Sequence, residues 1–80
     1  MEKNEILAKL QDIFCDILDN EDIVLENATT ADDIEEWDSL AHVQIVAEVE
    51  KVFGVKFTSY EITSWIDIEE LVDCIASKLN

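Results

Sequence analysis

The chain has 80 residues, 49% of them apolar, and sets 20 acidic side chains against five lysines, for a net charge of −15 at neutral pH. That length holds one small domain, residues 1–80, with a thin core, because so short a chain buries only about 60–65% of the surface it exposes when unfolded. The charge disfavours nucleic acid and anionic membranes as partners and favours proteins with basic patches, while the apolar content rules out an acidic disordered tail.

Cys15 and Cys74 lie far apart and form no ligand pattern, so they read as reduced thiols. The opening Met1-Glu2-Lys3-Asn4-Glu5 lacks the basic stretch and apolar run of a secretory leader, and no segment is long enough to span a bilayer. A cytoplasmic monomer is expected.

The first predicted helix runs from Glu2 to Leu18, with Ile6, Leu10, Ile13, Phe14 and Ile17 on one face. Cys15 falls opposite that stripe and is expected to be exposed. Asp19 to Trp37 follows as a long acidic connection, in which Ile23, Val24, Leu25 and Ile34 are expected to pin the chain across the helices. The second helix spans Ser39 to Phe53 and ends at Gly54, the residue type best suited to a left-handed C-terminal position. Ile45, Val46, Val49, Val52 and Phe53 cluster on its core side.

Val55-Lys56-Phe57 reads as a short extended piece. Thr58 and Glu61 have capping-box spacing and start a brief helix through Trp65. Asp67 and Glu70 repeat the signal, with Ile66 expected to staple against Leu71. The last helix should bury Ile68, Leu71, Val72, Ile75 and Leu79. The fold class is all-α: a small four-helix bundle of three main helices and a short third, with a long ordered loop after the first.

Within this frame Asp38-Ser39 stands out. Asp38 is a good N-cap, which puts the Ser39 hydroxyl at a helix mouth where free amides and the macrodipole favour a negatively charged substituent. Ser39 is thus placed to carry a phosphate and poorly placed to act alone as a nucleophile. His42, three residues on, leans to the core side and reads as structural; a Ser–His catalytic pair would need an oriented base and an oxyanion site. Trp37 is expected to pack across the helix start, and Trp65 to join the core. On the face away from the core lie Leu40, Val43 and Ala47, bordered by Gln44, Glu48, Glu50 and Lys51. That stripe is a docking surface, or is covered by the long loop, or is no more than the scattered exposed apolar residues that protein surfaces commonly carry. No calcium-loop spacing is present in the acidic connection, and no metal site is assigned.

Asp38-Ser39-Leu40 opening a helix, followed by Val43 and Ile45 and closed by Phe53-Gly54-Val55, resembles acyl carrier proteins and peptidyl carrier domains. The likeness extends to length, acidity, the loop after the first helix and the short third helix, and covers essentially the whole chain. It implies that a phosphopantetheinyl transferase moves 4′-phosphopantetheine from coenzyme A onto Ser39, with Asp38 supporting the transfer. A loading ligase would then attach an acyl or aminoacyl group to the arm's thiol, for delivery to an acyltransferase or synthase with a basic docking patch. Leu40, Val43, Gln44, Ala47, Glu48 and Glu50 would form the partner face, and Ile45, Val46 and Val49 would line any space in which cargo tucks between helices. Fatty-acid-synthesis carriers usually have glycine two positions before the serine; here Trp37 stands there and His42 follows, a form that resembles carriers of specialised pathways for surface polysaccharides, aminoacyl transfer or secondary metabolites. A carrier for type II fatty acid synthesis is the alternative. An acidic helical interaction module with Ser39 unmodified is the alternative of another class.

Overall fold

A computed structural model describes residues 1–79 and contains four α-helices: α1 (Lys3–Ile17), α2 (Ser39–Phe53), α3 (Ser59–Ser64) and α4 (Ile68–Leu79). One 3₁₀ turn (Ala31–Asp33) lies in the long connection, and no strand occurs among the described residues. The expected all-α bundle is therefore present, with α2 and α4 packed against α1. Phe14, Ile6 and Leu10 of α1 meet Ile45 and Val49 of α2 and Ile68 and Ile75 of α4, all fully buried. Among the described residues no polar or charged side chain is buried, so the interior itself is apolar packing.

Local chemistry sets the helix ends. At the C-terminus of α1, Asp19 takes a left-handed conformation (φ 52°) and the Asn20 amide donates to the Cys15 carbonyl over 3.1 Å, a Schellman closure made without glycine. Gly54 does the same work for α2 (φ 68°), donating to the Glu50 carbonyl over 2.9 Å. Asp38 caps α2 as expected, its Oδ1 accepting the Ala41 amide at 2.8 Å. At α4 the Asp67 cap forms, accepting the Glu70 amide at 3.0 Å. The staple does not: the Glu70 carboxylate accepts the Ile66 amide at 2.7 Å, and the Ile66 side chain is 73% exposed.

The long connection is ordered. Ile23, Leu25 and Ile34 are buried while Val24 points out, an in–out alternation that lays the segment across α1. Gln11 holds it there, its Nε2 donating to the Ile23 carbonyl and its Oε1 accepting the Leu25 amide at 2.6 Å. Farther on, the Asn27 and Thr29 carbonyls accept the Glu69 and Ile68 amides at 3.0 and 2.9 Å, so the loop backbone caps α4. This strap corrects the reading of Cys15. The thiol is half-buried against the core and sits 3.6 Å from the Ile23 carbonyl, because the loop crosses the side of α1 that periodicity alone leaves open. Val52 is also corrected: it is 44% exposed in the last turn of α2, beyond the cover that Ile45 receives at the same angular position. Ala76 joins the core, and Leu79 is half-buried.

The predicted Thr58–Glu61 capping box is present, with the Thr58 amide donating to Glu61 Oε1 at 2.8 Å. Lys78 Nζ reaches the same oxygen at 2.9 Å and lies over the Phe57 ring. The Thr58 amide, and then Lys78, hold the Glu61 carboxyl at about 2, well below its ordinary value of 4.5. A lowered folded-state pKa contributes stability that is fully present above the unfolded value and is lost as pH falls from about 4.5 through about 2. Urea titrations across that window should therefore show Glu61→Gln losing less stability on acidification than the parent, the two curves converging at the acid end. Parallel curves would show that Glu61 gains nothing from these partners.

Candidate functional site

The mouth of α2 is where the elements converge. The Asp38 side chain takes the Ala41 amide and its carbonyl takes the His42 amide at 2.8 Å. Asp38 Oδ2 and the Ser39 and Leu40 amides have no hydrogen-bond partner among the described residues. Ser39 is the first residue of α2 and is exposed. Its hydroxyl thus lies beside unpaired helix-start amides, an environment that suits the single negative charge of a phosphodiester.

Behind Ser39 the N-terminal turn of α2 is braced by aromatic rings. Trp37 and His42 occupy the positions of a hydrophobic staple, immediately before the cap and four residues after it. Their rings stack at 5.8 Å and 27°, and Trp37 Nε1–H donates to His42 Nδ1 at 3.0 Å. With Nδ1 accepting, Nε2 carries the proton and donates to the Ile62 carbonyl at 3.1 Å. Trp37 also meets the Phe14 ring edge-on at 4.8 Å, while Trp65 meets both His42 (6.0 Å) and Phe57 (4.9 Å). Both ring nitrogens of His42 are committed, so no Ser–His pair forms. Sequence reasoning placed His42 and Trp37 inward; their hydrogen bond to each other and the bond to Ile62 joins residues 20 positions apart and leaves no local pattern.

The remaining expected site residues fall into two groups. Leu40 and Val43 are 69% and 64% exposed, and Gln44 and Ala47 are exposed beside them, so the loop leaves this stripe open. Glu48 is half-buried at its edge. Glu50 is engaged elsewhere: half-buried, it accepts the Phe57 amide at 2.8 Å and anchors the chain leaving α2. Ile45, Val46 and Val49, which the resemblance assigned to a cargo space, are buried around a seam too narrow for a water molecule. No cluster of three or more metal-ligating side chains occurs among the described residues.

Comparison with known proteins agrees with this geometry. The family model for the phosphopantetheine attachment site matches residues 8–75. The chain is 36% identical over 76 residues to the acyl carrier protein of Rubrobacter xylanophilus, covering 94% of this chain and 93% of that protein. It is 34% identical over 77 residues to the non-reducing polyketide synthase pkdA of Emericella nidulans, spanning 95% of this chain but only 3% of the synthase. The solution NMR structure of a holo acyl carrier protein from Geobacter metallireducens superposes with a TM-score of 0.86 at 34% identity, covering 91% of this chain and 84% of that one. The chain belongs to the phosphopantetheine-attachment family. It is a carrier protein of the acyl carrier type, and its cofactor is covalently attached 4′-phosphopantetheine.

Proposed function

We propose that Ser39 is the attachment point, and that the chain works as a stand-alone carrier of acyl or aminoacyl thioesters. The observation that supports this most directly is the exposed Ser39 hydroxyl at the unpaired start of α2, inside the matched family region. In the transfer the Ser39 oxygen bonds to the phosphorus that carries pantetheine in coenzyme A. The bond from that phosphorus to the adenosine bisphosphate half breaks, that half departs, and the hydroxyl proton passes to the transferase or solvent. His42 is committed to Trp37 and Ile62 and is no base for this step; the chain is a substrate of the transferase and not an enzyme. Asp38 Oδ2 is the oxygen left over for the transferase and its magnesium.

Partners are a phosphopantetheinyl transferase, a loading ligase, and an acyltransferase or synthase with a basic patch, met in the cytoplasm by a monomer of one domain. Leu40, Val43, Gln44 and Ala47 form the docking stripe, with Glu48 at its rim and Glu50 contributing through the position of the chain after α2. Trp37, in place of the glycine usual in fatty-acid carriers, together with His42, supports a specialised pathway. Intact-mass measurement after incubation with coenzyme A, magnesium and a broad-specificity transferase tests the central claim. The parent should gain one phosphopantetheine and Ser39→Ala none. An unmodified, folded parent would sink the proposal, and so would a Ser39→Ala variant that gains the same mass.

A further inference from the structure

The surface hollow beside Ser39 and the apolar seam inside the bundle share a wall. Ala31, Asp38 and Ser39 line the first, and Ile45, Val46, Val49 and Leu71 are among those lining the second; Trp37 and His42 alone line both. That wall is fastened by the Trp37–His42 hydrogen bond, by the bond from His42 to the Ile62 carbonyl, and by the edges of Phe14 and Trp65. Swinging either ring aside breaks polar contacts in a half-buried setting and opens onto a seam that does not admit water.

We infer that Trp37 and His42 are a closed partition between the attachment serine and the interior, so that the thioester cargo stays outside the bundle. The inference rests on Ser39 being the attachment point. It defines the cargo class as acyl groups that are short or polar enough to ride in solvent. A long alkyl chain gains roughly fourfold in partition for each methylene it buries, so it would enter if a path existed. The partition, and not any indifference of the cargo, is what keeps it out.

Acyl-coenzyme A thioesters and a broad-specificity transferase allow acetyl, octanoyl and dodecanoyl arms to be installed directly on the full chain, with loading verified by intact mass. Cleavage by hydroxylamine, normalised to the same acyl-coenzyme A, then reports whether the thioester is shielded. In the parent, normalised rates should agree within about twofold across the three chains. In His42→Ala and Trp37→Leu, where the wall is breached, dodecanoyl should be cleaved at least about tenfold more slowly than acetyl. A parent that already protects the longer chains overturns the inference, whether or not the variants fold. Folded variants that leave every chain equally reactive overturn the role of Trp37 and His42. Failure to load at all is a failure of the Ser39 assignment, and the mass spectrum distinguishes it.

Discussion

Replacing Gln11 with alanine should destabilise the protein by about 2–4 kcal/mol, because one side chain satisfies two backbone groups of the loop. Its amide pairs with the Ile23 carbonyl and the Leu25 amide much as a neighbouring strand would. Truncation leaves the partly buried Leu25 amide without a partner and the Ile23 carbonyl with only the weakly donating Cys15 thiol, and each such loss costs about 1–3 kcal/mol. Alanine is a good helix residue, so α1 itself does not suffer. For a domain whose whole stability is expected to be about 5–10 kcal/mol, the melting temperature should fall by roughly 10–20 °C. Gln44→Ala, on the exposed face of α2, serves as the control and should change stability by less than about 0.5 kcal/mol. If the two variants melted together, Gln11 would add nothing to the hold that the loop's apolar residues and its bonds to α4 provide.

Asp38→Asn should separate the two tasks assigned to Asp38. Asparagine caps a helix about as well as aspartate, so the Ala41 amide keeps its acceptor and stability should change by no more than about 1 kcal/mol, the share of the lost charge at the helix start. Modification of Ser39, however, should slow by about 100-fold if Asp38 Oδ2 serves the transferase's magnesium. Asp38→Ala loses the cap as well, adding about 0.5–2 kcal/mol of destabilisation. Initial rates followed by intact mass, with circular dichroism to confirm folding, give the comparison. An Asn variant modified at the parent's rate would reduce Asp38 to a cap.

Most of the helices were legible because their signals are local. Periodicity placed Ile6, Leu10, Phe14, Ile45, Val49 and Ile75 inside, and the caps at Asp38, Thr58 and Asp67 follow from residue type and spacing. The errors came where a residue outside the helix decides. Cys15 is covered because a loop some eight residues on crosses it, and a helical wheel contains no loop. Ile66 points outward because Glu70 reaches one amide beyond the expected box, to Ile66 itself. Glu50 looked like a rim charge because nothing in its neighbourhood marks the Phe57 amide as its partner. At the start of α2, the Asp38 cap and the exposed position of Ser39 were readable from residue type and spacing. The Trp37–His42–Ile62 chain was not, since its last link joins two helices.

The loop's grip on α4 has a kinetic meaning. The Ile68 and Glu69 amides, donating to Thr29 and Asn27, sit in a first helical turn, where amides normally exchange freely with solvent. Here each is protected only while a segment some forty residues upstream stays docked. Their deuterium uptake therefore reports a sub-global opening, the release of residues 20–37 from the helices, separately from the complete unfolding that amides in the middle of α1 register. Those two amides are thus an internal gauge of how often the strap that leads into the start of α2 lets go.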